Sequence, residues 1–167
     1  LRIIIGGIII FLMVFSTAGF AIVNSMSATP QAQPSVDGAT FNGNYWVILT
    51  GGQEFYFINN PADFKEIPVP ITNTLIAYSG KELFIDASSN KNILNEISIN
   101  LGRYASRMQE ACHGLCDKDL PEKDCTNNLI VWRQSEENKI YQEQSCIFIE
   151  GDLRAVDAFL YKVIGLG

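Results

Sequence analysis

The chain has 167 residues, 47% of them hydrophobic, which is enough for one ordinary domain and an appendage. Its net charge of −6 argues against nucleic-acid or anionic-lipid partners, both of which need a positive surface. His113 is the single histidine, which excludes most metallohydrolase sites, because they take two or three imidazoles.

From Ile3 to Val23 there is no charged residue. A helix over this run would be about 31 Å long, the thickness of a bilayer's hydrocarbon core. A soluble helix keeps a polar face, and this run has none. Arg2 precedes it and the next basic residue is Lys65, so the positive-inside rule puts the N-terminus in the cytoplasm and the remainder outside. Residues 1–23 are therefore read as a transmembrane helix, a signal anchor. A cleaved signal peptide is the alternative, with Gly19-Phe20-Ala21 or Ser25-Met26-Ser27 as the cleavage site. Both readings export the rest of the chain. Residues 24–39, rich in Ser, Ala, Thr, Gln and Pro, read as a flexible linker that buries too little apolar surface to fold. Residues 40–167 read as an extracytoplasmic α+β domain. Without Arg2, 11 basic residues stand against 18 acidic ones, a net charge of −7.

Within the domain, the runs 45–50 and 54–58 are β-branched and aromatic and flank Gly51-Gly52, a hairpin signal. Pro61 to Phe64 reads as a short helical turn, and Pro68 and Pro70 keep the next stretch extended. A second hairpin is expected between 75–78 and 83–86. Ile93, Leu94, Ile97, Leu101, Tyr104 and Met108 then recur at spacings of three and four, one face of a helix over about 91–112. Ser88-Ser89-Asn90 offers N-caps for it and Gly114 a stop. A third hairpin is expected between 129–133 and 139–142, around Ser135-Glu136-Glu137-Asn138. Cys146 to Ile149 is wholly apolar and reads as a central strand. Asp152 caps a closing helix with Leu153, Val156, Phe159, Leu160, Val163 and Ile164 on one side. The expected fold is a mostly antiparallel sheet packed with two helices, with a parallel crossover through the long helix from 83–86 to 129–133.

All four cysteines, Cys112, Cys116, Cys125 and Cys146, lie beyond the linker, and an even number in an exported domain favours two disulfides. Four cysteines allow three pairings. The polar loop between Cys116 and Cys125 favours closing it with that pair, leaving Cys112 to reach Cys146 on the central strand. Tetrahedral zinc on these cysteines and His113 is the rival reading, but only Cys112 and Cys116 have the spacing of a zinc pair. A thioredoxin-like site lacks its two-residue spacing.

His113 reads as a surface residue at a helix end, and no phosphate-binding glycine loop occurs. Asp117, Asp119, Glu122 and Asp124 form a solvated loop without the EF-hand pattern. Asp86, Glu96, Glu150, Asp152 and Asp157 include candidates for an acid–base pair, although spacing singles out none. Trp46 and Trp132 read as sheet core or edge residues. The sequence calls for no cofactor and no metal. No Asn-x-Ser/Thr glycosylation signal occurs.

The ending Cys146-Ile147-Phe148-Ile149-Glu150-Gly151, continued by Val156-Asp157-Ala158-Phe159-Leu160-Tyr161 and Gly165, resembles that of small uncharacterised archaeal single-pass membrane proteins. The resemblance implies a domain anchored at the cell surface and carries no activity. Absent catalytic constellations, a tether and a stapled small domain lead to a non-catalytic interaction or envelope-structure module. Its expected partners are the lipid bilayer through the N-terminal helix and another envelope protein. One alternative is an extracytoplasmic enzyme or solute-binding domain with a carboxylate-based site. Another is a pilin-like filament subunit, although the Pro-rich linker interrupts the helix a filament core needs.

Overall fold

The computed structural model describes residues 38–116 and 118–167. The expected transmembrane helix, and the linker up to residue 37, lie outside that range. Among the described residues, no helix is long and apolar enough to cross a membrane.

The described part is α+β. A small antiparallel sheet comes first, from β1 (Thr40–Phe41), β2 (Trp46–Thr50) and β3 (Gln53–Phe57), in that order. Gly51 and Gly52 have φ of 57° and 75°. Both central positions of the two-residue turn are left-handed, which glycine adopts without steric cost. The turn pairs Thr50 with Gln53 and sends Trp46, Ile48, Phe55 and Phe57 to the core. The Asn60 side chain accepts the Ala62 amide and starts the expected turn as a 3-10 helix, Pro61–Asp63.

The second expected hairpin does not form. Leu75–Tyr78 is a single helical turn, α1, that buries the Tyr78 ring and leaves Ile76 outside. Four apolar residues are too few for periodicity to separate helix from strand. β4 (Glu82–Asp86) lies instead between β5 (Arg107–Glu110) and β8 (Leu129–Arg133), parallel to both. The chain reaches β5 through α2 (Lys91–Leu101), whose first turn is capped by Asn90.

α2 ends eleven residues before the expected boundary. Gly102 closes it, and a Cβ there would meet the Ser98 carbonyl oxygen at 2.5 Å, so no larger residue fits the turn. Tyr104 and Met108 remain half-buried against the core, but from a turn and a strand rather than from the helix face.

The main sheet runs β5-β4-β8-β10-β9, with β9 (Lys139–Glu143) and β10 (Cys146–Glu150). β10 inserts between the two segments expected to pair as a third hairpin, antiparallel to β9 and parallel to β8. The sheet is therefore mixed rather than mostly antiparallel, with only β9 reversed. The reason lies in composition: β4, β8 and β10 are apolar on both faces, as interior parallel strands require. β9, with its mixed exposure, makes the edge. Parallel β4 and β8 agree with the expected crossover, although β5 is interposed in the chain.

Asp152 caps α3 (Leu153–Val163), its Oδ1 accepting the Arg154 amide at 2.9 Å. α2 packs on α3 and on β3, and α3 on β9 and β10. Leu83, Ile85, Ile130, Trp132, Ile147 and Ile149 join the helices in one core. Phe84, Leu129, Val131 and Cys146 point to the opposite face, where Ala111, Cys125 and Phe148 pack over them. Two short strands on that side, β6 (Cys112–His113) and β7 (Glu122–Lys123), pair in parallel.

The free edge of β3 is satisfied by helix side chains. Asn100 Oδ1 accepts the Tyr56 amide at 2.8 Å while its Nδ2 donates to the Tyr56 carbonyl at 2.6 Å. Glu96, one turn earlier on α2, accepts the Ile58 amide, and Asp157 on α3 accepts the Asn59 amide at 3.0 Å. Residues spaced by four on one helix face thus stand in for a fourth strand.

Candidate functional site

Because β4, β8 and β10 are parallel, their C-terminal ends lie along one edge. Each closes an apolar run with a charged residue: Asp86, Arg133 and Glu150. Strand alternation puts these three on the face away from the helices, in line with Phe84, Val131 and Phe148. The chain leaves β4 toward β5 on one side, and leaves β8 toward β9 and β10 on the other. Connections that diverge from neighbouring parallel strands leave a crevice between their C-terminal ends, the position where open α/β sheets bind ligands.

Asp86 and Arg133 face each other across it, Nη2 to Oδ2 at 2.8 Å. The crevice encloses about 230 Å³ and is bordered further by Ser88, His113, Leu115 and Lys118. Asp86 organises its floor. Oδ2 also accepts the His113 amide at 2.9 Å and Oδ1 the Ser88 amide at 3.3 Å. Ser88 and Ser89 are left-handed, with φ of 49° and 67°, a conformation non-glycine residues adopt only where their surroundings hold it. The Asp86 carboxylate does so for Ser88, and Lys118 Nζ reaches Ser89 Oγ at 2.7 Å.

Burial pushes the Asp86 carboxyl up, but hydrogen bonds from Arg133 and from the His113 and Ser88 amides outweigh it and hold the group below its ordinary value. Replacing Arg133 by Gln is expected to move the Asp86 carboxyl upward, read by NMR titration of its side-chain carbon. An unmoved titration would remove Arg133 from this role. The cost in stability should stay within about 1 kcal/mol, because the Arg133 side chain is nearly half exposed.

One disulfide borders the crevice and a second lies at the start of β10, in a pairing that differs from the expected one. Cys112 is bonded to Cys116 and Cys125 to Cys146, with no free cysteine, in place of Cys116–Cys125 and Cys112–Cys146. The expectation placed Cys112 at the end of a helix. Because α2 stops at Leu101, Cys112 lies instead in β6, with its amide on the Pro121 carbonyl. Gly114, at φ 73°, then turns the chain back so that Cys116 meets Cys112 across a five-residue loop. The Ser145 amide donates to the Cys125 carbonyl and brings Cys125 beside the first residue of β10.

The chain matches no protein-family model, no curated protein and no solved structure. Its functional reading rests on the placement of its own residues.

Of the candidate carboxylates, the fold brings Glu96 and Asp157 together, but both are fully buried. Asp152 is a helix cap paired with Arg154, and Glu150 accepts the Tyr141 hydroxyl at 3.2 Å. A Ser-His-Asp relay is not formed: His113 meets Asp86 through its backbone amide, while its ring packs edge-on against Phe148. Trp46 and Trp132 are core residues. In the acidic loop, Asp124 accepts hydrogen bonds from Thr126 and Asn127, Glu122 lies in β7, and Asp117 is outside the described residues. Arg133 is not singled out by the sequence. Its signal there is a charge ending an apolar strand, shared with Asp86 and Glu150.

Proposed function

We propose that this protein is a membrane-anchored domain held outside the cytoplasm, which binds a solute or another envelope protein at the Asp86–Arg133 crevice without transforming it. The apolar run from Ile3 to Val23, the tether after it, the paired cysteines and the resemblance to archaeal single-pass membrane proteins support the location. The observation that carries the binding reading is where the two raised carboxyls lie. A carboxyl poised as a general acid by a raised value must meet its substrate. Here Glu96 and Asp157 are sealed between α2 and α3, while the open crevice holds an ion pair whose groups are already engaged. Such a site offers fixed charge and backbone polarity for recognition on a covalently braced rim.

The test is a thermal-shift screen of the full-length protein in detergent against glycans, peptides and headgroups from its native envelope. A ligand is expected to raise the melting temperature saturably, to shift the Asp86, Ser88 and His113 amide resonances, and to be recovered unchanged. Recovery of a cleaved or modified compound would favour the carboxylate-based enzyme. Resonance shifts confined to other elements would remove the crevice from the account.

A further inference from the structure

His113 is held by its backbone rather than by its ring. Its amide donates to Asp86, and its pairing with Lys123 joins β6 to β7. The imidazole is left to stand edge-on to Phe148, ring centroids 5.2 Å apart, with Nε2 at 3.9 Å from Cys125 Sγ. One ring nitrogen of His113 and the sulfurs of Cys125 and Cys146 all lie within 4.8 Å of one another. Tetrahedral zinc, with bonds of about 2.3 Å to sulfur and 2.0–2.1 Å to nitrogen, separates its ligand atoms by about 3.6–3.8 Å. The ring is thus already near a ligand's distance from Cys125 Sγ, and a ring nitrogen lies no more than 4.8 Å from Cys146 Sγ. Only the S–S bond holds the sulfurs too close together.

We infer that the Cys125–Cys146 disulfide is the oxidised form of a metal site, and that after reduction His113, Cys125 and Cys146 bind one zinc ion. The reductant is a dithiol, which passes two electrons and two protons to the S–S bond and becomes a disulfide itself. Zinc then displaces both thiol protons to solvent. Two thiolates and a neutral imidazole balance the charge of the ion, so the partly covered site gains no net charge. Cys146 is buried and fixed on β10, Cys125 is half-buried, and His113 is exposed. The fourth coordination position therefore faces solvent, as in sites that keep an exchangeable ligand. The Cys112–Cys116 pair takes no part. This inference does not depend on the compartment of the domain.

Full-length protein is reduced with dithiothreitol, freed of it under argon and titrated with cobalt(II) as a visible stand-in for zinc. One cobalt per chain is expected, with the thiolate charge-transfer and tetrahedral ligand-field bands, both removed by zinc. The oxidised protein should show neither band. His113→Gln should weaken cobalt binding about tenfold or more, since the loss even of an outer-shell partner costs that much. A Cys112→Ala, Cys116→Ala double variant should bind as the parent does. Circular dichroism monitors the fold throughout: if the reduced chain unfolds, zinc should restore it. Absent bands, failure of zinc to restore a lost fold, an unaffected His113→Gln variant, or loss of binding in the double variant would each overturn the inference.

Discussion

The domain is expected to lose stability as the pH rises from about 5 to 9, by about 1.4 kcal/mol per unit for each proton held only by the folded state. The cause is the Glu96–Asp157 pair. Burial, and then the neighbouring Asp157 charge, pushes Glu96 up to about 9. Burial raises Asp157 to about 6, against hydrogen bonds from Asn59 and Glu96 that lower it. Glu96 Oε2 and Asp157 Oδ1 have no other partner, and a proton held between the two carboxyls satisfies both. The folded carboxyl values exceed the ordinary ones. Their contribution is therefore complete in acid and lost as the pH climbs through about 6 and then about 9.

Asp86, Asp124 and Asp152 are lowered and act the other way, losing their contribution in acid below the ordinary carboxylate range. Glu96→Gln keeps an acceptor for the Ile58 amide and a donor toward Asp157. It should abolish the slope between pH 6 and 9 and be more stable than the parent at pH 9. Urea denaturation at pH 5, 7 and 9 measures this, and a flat profile for the parent would contradict a shared buried proton.

Leu101→Ala is expected to cost about 2–5 kcal/mol, the range for emptying a leucine-sized site in a core that relaxes incompletely. Leu101 is the last residue of α2 and is fully buried. Gly102, directly after it, donates its amide to the Ser98 carbonyl at 2.9 Å, which holds this end of the helix. Leu94, on the same helix but only half-buried, should cost less. Equilibrium denaturation with an unchanged slope is the measurement. A loss under about 1 kcal/mol would mean that this end of α2 is not core.

Local chemistry makes parts of the fold legible in sequence. Gly51-Gly52, Asn90 and Asp152 announce a turn and two helix starts, because each supplies the backbone conformation or the acceptor its position needs. Strand partnership carries no such local mark. The runs around Phe84, Ile130 and Ile147 are chemically alike, so adjacency in the chain favours hairpins where β10 instead enters between β8 and β9. The helical spacing overstates α2, because Tyr104 and Met108 keep it beyond Gly102 while belonging to a turn and a strand. The cysteine pairs are exchanged because the polar loop between Cys116 and Cys125 suggests its own closure, while the fold turns Cys116 back onto Cys112 and sets Cys125 beside Cys146. The four cysteines themselves are legible as disulfide-forming. The site is not, because Asp86 and Arg133 are 47 residues apart and only the parallel pairing of β4 and β8, with Asp86 opposite Val131, brings the Arg133 side chain within reach.

Protease added to intact cells, with the C-terminal half tracked by mass spectrometry, decides whether the domain is tethered outside the membrane as proposed. Cleavage in the tether after about residue 28 and release of a disulfide-bonded fragment, with the membrane unbroken, are the expected result. A domain that stays protected until the membrane is opened would contradict it.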